Sequence, residues 1–165
     1  YEVAEISINS YFVIFLTSEG VATNVEASRL LSLALFIFMG GRFLGAWVMK
    51  FVHPTKVLFG CAVGSVACMC GVLFGGEISL YALVLNFACE AIMFPTIFSL
   101  SLTGLDAQQK KRASSYMMMT PVGGCAFLLM GIIADNTSLV LPFFVPLAGF
   151  LIVLAFATYK MRKRN

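Results

Sequence analysis

Apolar residues run along this chain in long blocks separated by short polar punctuation, not in the brief alternations of a half-buried sheet. The blocks predict spans near 1–17, 28–49, 55–74, 78–102, 113–134 and 139–159. Each is close to the roughly 20 apolar residues that a bilayer-crossing helix needs. Lipid offers no partner to backbone polar groups, so every span is expected to be helical. The first span carries Glu2 and Glu5 with no basic segment before them, so it does not read as a signal peptide. With no Met in front, the chain reads as beginning inside a helix.

Composition points the same way. The 165 residues are 60% hydrophobic and 12% charged, where soluble domains carry roughly a quarter charged residues, and the mean hydropathy is +0.94. Six spans use about 120 residues and leave about 45 for loops and ends, which excludes a large soluble domain. The expectation is an all-α membrane protein, one transmembrane domain over 1–165, with nothing that points to nucleic acid. Cys61, Cys68, Cys70, Cys89 and Cys125 lie in apolar runs without a C-x-x-C pair, so they read as packing residues and neither a disulfide framework nor a metal site is indicated.

The distribution of charge sets the orientation. One set of span ends carries Lys50, Lys56, Lys110, Lys111, Arg112, Lys160, Arg162, Lys163 and Arg164; the other carries Arg29 beside Glu19, Glu26, Glu77 and Asp135. Basic residues mark cytoplasmic loops, so both ends of the chain are expected in the cytoplasm. The last cluster also suits anionic lipid headgroups. Gly41 and Gly45, and Gly60, Gly64, Gly71 and Gly75, have the small-x-x-x-small spacing of close helix contacts.

Ionisable groups at membrane depth cost several kcal/mol and usually face a cavity or a partner. Glu2, Glu5 and Asn9 fall on one face of the first span, and Asn86 and Glu90 are spaced i and i+4 in the fourth. Counted from the outer ends at about 1.5 Å per residue, Glu5 and Glu90 lie about 18 Å deep, Arg42 about 21 Å, and Asn9 and Asn86 about 12 Å. The spacing therefore predicts a polar cavity in which Arg42 partners Glu90 or Glu5 and the acid left unpaired is a candidate proton site. Structural pairing with no solute is the plainer alternative. Pro95 and Pro121 lie within the fourth and fifth spans and are expected to bend them, and broken helices near the midplane are where transporters place their sites.

Four stretches carry a resemblance. Gly41 to Leu58, G-R-F-L-G-A-W-V-M-K-F-V-H-P-T-K-V-L, resembles the segment joining the eighth and ninth helices of fucose/proton symporters. These form a branch of the major facilitator superfamily that includes bacterial glucose and galactose permeases. Ala91 to Leu100, A-I-M-F-P-T-I-F-S-L, is similar to the branch's tenth helix, Gly123 to Asp135 to its eleventh, and Tyr1 to Phe12 to its seventh. The resemblance implies the C-terminal six-helix half of a twelve-helix transporter, built as two inverted three-helix repeats, with the N-terminal six-helix half as its partner. It implies that the first, second, fourth and fifth spans line the central path. It also implies a bacterial inner-membrane protein that is no enzyme, with a proton as coupling ion and no other cofactor. The chain departs from the pattern at Glu90, where the sugar-transporting relatives commonly have an amide. It departs again at Cys125 to Leu128, which lacks a usual proline, and at Met49 and His53, which replace an acid and a base of the superfamily's motif A.

The leading functional reading is proton-coupled uptake of a neutral sugar of the fucose, glucose or galactose class. Asn9 and Asn86 can each donate to and accept from hydroxyls, Glu90 adds an acceptor, and Phe94 or Tyr11 offers an apolar ring face. An anionic or other polar solute would use Arg42 instead, and a non-transporting scaffold would need no buried acid. An intramembrane protease is excluded on distance, because His53 stands about 18 Å along one helix from Ser65. In the half by itself, Glu5 and Glu90 are expected on the face turned toward the missing partner.

Overall fold

Helix starts coincide with groups that satisfy free backbone donors. In this computed structural model, which describes residues 1–20, 22–74, 77–119 and 125–162, helix α2 (Asn24–Val48) opens with a capping box. There Thr23 Oγ1 accepts from Glu26 N, and Thr23 N donates to Glu26 Oε2 at 2.9 Å. Helix α3 (Pro54–Leu73) has proline in its first turn, and Thr55 N donates to His53 Nδ1 at 3.2 Å. His53 thus caps a helix. The remaining helices are α1 (Glu2–Ser18), α4 (Glu77–Leu102), α5 (Ala107–Met117), α6 (Ala126–Asn136) and α7 (Phe144–Arg162), the last preceded by a 3-10 turn at Leu141–Phe143. Gly20 and Gly104 close α1 and α4 with φ of +68° and +85°, the left-handed region where a side chain is strained.

Among the described residues, four helical stretches are long and apolar enough to cross a membrane: Asn24–Val48, Pro54–Leu73, Ile78–Leu102 and Leu141–Arg162. Helix α1 has 17 residues and α6 has 11. Where the sequence predicts one span near 113–134, the end of α5 and most of α6 are found. Pro121, Gly75, Lys163 and Arg164 lie outside the described residues. Pro95 sits inside α4, which stays helical from Glu77 to Leu102.

Helix α4 is the hub. Its broadest contacts are with α3 and α2, and it also meets α1 and α5, while α3 and α1 both pack on α7. Between helices in lipid there is little hydrophobic gain, so close packing has to supply the attraction. The glycines supply the approach. A Cβ on Gly41 would lie 2.8 Å from Ala91 Cβ, one on Gly64 2.9 Å from Cys89 Sγ, and one on Gly71 3.3 Å from Ala82 Cβ, so three glycines on two helices face the same partner. Gly60 has open space beside it and takes no part in the seam.

Helix α1 joins the core through aromatic rings. Phe12 meets Phe87 edge-on with centroids 5.8 Å apart. Phe15 and Tyr11 both pack on Phe143, at 4.9 and 5.6 Å. Such edge-to-face pairs add about 0.5–1.5 kcal/mol each beyond the area they bury. The outward faces are apolar too: Phe36, Phe43 and Trp47 of α2 are exposed, as hydrocarbon surroundings require and water does not tolerate over so large a patch.

A candidate polar site between helices α1 and α4

The helical repeat brings Asn86 and Glu90 to one face of α4, and packing buries both completely. Asn86 Nδ2 donates to Glu90 Oε1 at 2.8 Å. The other oxygens of the same two groups, Asn86 Oδ1 and Glu90 Oε2, are buried with no hydrogen-bond partner among the described residues. Buried polar atoms are normally satisfied, and an exception in a native fold calls for a functional account.

Helix α1 closes over this pair. The Tyr1 hydroxyl donates to the Glu90 backbone carbonyl at 2.9 Å and stands beside the Glu5 carboxylate. Glu5, half-buried, is within electrostatic reach of Glu90. Asn9, one turn further, is half-buried with its Oδ1 unpaired among the described residues. Phe94 stacks between Tyr1 and Phe98, with centroids 6.2 and 6.1 Å away. A pocket of about 230 Å³ opens next to that ladder, lined by Tyr1, Glu2, Val3, Phe94, Ile97 and Met117. It is mostly apolar, with Glu2 at its edge.

Three expectations need correction. Arg42 does not pair with Glu90 or Glu5. It is exposed, its guanidinium lies 4.6 Å from the centroid of the Phe38 ring, and the carboxylate that feels its charge is Glu2. The reason is helical register, since Gly41 and Gly45 face α4 and the next position along is turned about 100° away. Tyr11 offers no ring face to a solute. It is 2% exposed, and its hydroxyl donates to Leu139 O at 3.3 Å, because the face of α1 that carries Ala4, Ile8, Phe12 and Phe15 turns into the core. Glu90 is not on an open face but is 0% exposed.

Tyr1 is the member that the sequence reading passes over. Tyr1, Glu5 and Asn9 are spaced i, i+4 and i+8, the same signal that singles out Asn86 and Glu90. A tyrosine in an apolar run looks like a core or interface residue, and only the approach of α4 distinguishes it. Below the polar pair, Thr96 donates to Ile92 O at 2.6 Å, with Met49 Sδ 3.3 Å away. Met49 thus packs on the same hub helix.

No protein-family profile matches the chain. It is similar to the L-fucose-proton symporter of Escherichia coli (strain K12), with 31% identity over 165 residues, 97% of this chain and 37% of that protein. It is similar also to the glucose/galactose transporter of Brucella abortus biovar 1 (strain 9-941), with 32% identity over 89% of this chain and 36% of the relative. Among solved structures it superimposes on a Major Facilitator Superfamily transporter, FucP, in the outward conformation. The TM-score is 0.90 at 31% identity, covering 96% of this chain and 39% of that one. The chain thus spans little more than a third of the length of these relatives.

Proposed function

We propose, from the premise that this chain belongs to the major facilitator superfamily in the branch of fucose-proton symporters and glucose/galactose transporters, that it forms the C-terminal six-helix half of a proton-coupled sugar transporter. The solute is a neutral monosaccharide bound between two halves and carried by alternating access. In this reading the protein lies in a bacterial inner membrane, with both ends of the fragment in the cytoplasm, as the nine basic residues at one set of ends favour.

The observation that carries the reading is the buried Asn86–Glu90 pair with two unspent acceptors, set against α1 in a bundle of apolar helices. A scaffold gains nothing from such a pair, because an unsatisfied buried polar atom costs about 1–3 kcal/mol. A solute path gains hydrogen-bonding capacity that is realised as the helices move. Asn9 contributes an amide and Phe94 with Tyr1 contributes ring faces, and sugars are held by that mixture of directed polar groups and apolar surface. Glu5 supplies a carboxylate at the edge of the same cluster.

One observation favours a second reading. Arg42 is exposed and makes no ion pair among the described residues, which suits an anionic solute. Uptake of labelled fucose, glucose and galactose by vesicles containing the full-length parent, with and without a proton gradient, separates the two. Gradient-dependent accumulation of one of these sugars is expected. Accumulation of an organic anion with no sugar uptake would replace the neutral-sugar reading.

A further inference from the structure

The amide and carboxyl of Asn86 and Glu90 are each half used. Nδ2 of one donates to Oε1 of the other at 2.8 Å. What remains is two acceptors, Asn86 Oδ1 and Glu90 Oε2, both buried and both without a partner among the described residues. Two acceptors cannot bond to each other. One added proton changes that, because a carboxylic acid has a hydroxyl that donates while the carboxyl keeps its acceptor.

We propose that the Asn86–Glu90 pair is a proton-binding site in this half of the molecule, in which a proton taken up on Glu90 Oε2 is donated to Asn86 Oδ1 and closes a ring of two hydrogen bonds between amide and acid. The balance is simple. One proton enters from water, one O–H bond forms, the Nδ2–H to Oε1 bond is kept, and the charge of the pair goes from −1 to 0. No other group has to be reduced, oxidised or displaced.

The surroundings fit a neutral pair. The groups that sense Glu90 are Glu5, the Tyr1 hydroxyl and the Tyr1 amino group on α1, Cys68 on α3 and Cys89 on α4 itself. The cation on the neighbouring α2, Arg42, is directed to Phe38 and Glu2 instead. A carboxylate withdrawn from water requires a cation or several donors, and the described residues give Glu90 one amide donor for its side chain. Glu5 nearby is a further acid and not a counter-charge.

Access is set by the α1–α4 contact. Glu90 is fully buried, covered on one side by Tyr1, which bonds its carbonyl at 2.9 Å and stacks on Phe94, while the Phe12–Phe87 pair joins the same two helices. Water reaches Oε2 when these helices part. Proton occupancy is thereby tied to the arrangement of α1 and α4, which makes the site a coupling element and not a static bond. The inference rests on the membrane-embedded bundle and not on which solute is carried.

The test is infrared difference spectroscopy of the full-length parent in lipid vesicles, recorded across pH in H₂O and D₂O. Expected is a protonated-carboxyl band, sensitive to deuterium, that is absent in Glu90→Gln and displaced in Asn86→Leu, where the ring cannot close. In flux measurements, whatever solute Glu90→Gln still carries should be accompanied by one proton fewer than in the wild type. If Glu90→Gln does not fold, Glu90→Asp keeps the acid on a shorter arm, and the band must move. A carboxyl region identical in wild type and whichever variant folds overturns the site. A parent that carries no sugar yet shows the band would defeat the sugar reading and leave this one standing.

Discussion

A methyl group on Gly45 would stand 2.5 Å from Cγ1 of Ile92 and 2.9 Å from its Cγ2. Ile92 is branched at Cβ and anchored in α4, so it has little freedom to swing clear, and the two helices must part to admit the methyl. Gly45→Ala should therefore lower stability by about 1–3 kcal/mol, the usual cost of overpacking. Gly40 has nothing within 4 Å, and Gly40→Ala should be neutral or stabilising by up to about 1 kcal/mol. Thermal unfolding in one detergent measures both, and equal effects would show that the α2–α4 seam is not set by glycine.

Removing the amide donor of the buried pair isolates its energetic role. Asn86→Leu leaves Glu90 Oε1 without the Nδ2 donor now at 2.8 Å, and an orphaned buried acceptor costs about 1–3 kcal/mol. The same unfolding assay should register a loss in that range. A variant as stable as the parent would mean that the pair is held by something other than this bond.

Tyr11 is packed between Phe15 and Phe143 with its hydroxyl on Leu139 O. Tyr11→Phe should cost about 0.5–1.5 kcal/mol and leave the KM for solute in the full-length parent unchanged. A tenfold rise in KM, about 1.4 kcal/mol of binding, would return Tyr11 to the solute site.

Arg42 divides neutral from charged solutes. Arg42→Gln keeps much of the length of the side chain and removes the charge that now lies over Phe38. For a neutral sugar, transport kinetics of the full-length parent should change less than about twofold. For an anion the loss should be tenfold or more, since a hydrogen bond to a charged group contributes about 1.5–3 kcal/mol.

Side-specific labelling tests orientation. With exposed Cys70 and Cys125 replaced by serine, a cysteine at Gln108, in the basic α5, should react with a membrane-impermeant reagent from the cytoplasmic side alone. A cysteine at Ser138, beyond Asp135, should react from the opposite side alone. Both positions are exposed. Labelling of both from one face would reverse the reading of the charge asymmetry.

How much of this was legible depended on range. Long apolar runs are local, and they announce helices because the backbone must satisfy itself in lipid. The i, i+4 relation of Asn86 and Glu90 is local as well, and it became the 2.8 Å bond. Arg42 and Tyr11 were misplaced because depth along a helix is readable from counting, whereas the direction in which a side chain points around the helix depends on where neighbouring helices pack.

The residue order alone decided that this chain is built of long apolar helices and that Asn86 and Glu90 share a face of one of them. The nearest few residues are enough to decide those properties when hydrocarbon leaves the backbone no alternative. Tertiary packing decided the rest: that α4 is the hub, that Gly41, Gly64 and Gly71 face it while Gly60 does not, that Tyr1 covers Glu90, and that Arg42 points away. Those outcomes turn on a few tenths of an ångström of fit between helices far apart in sequence, and no periodicity within one helix carries that information.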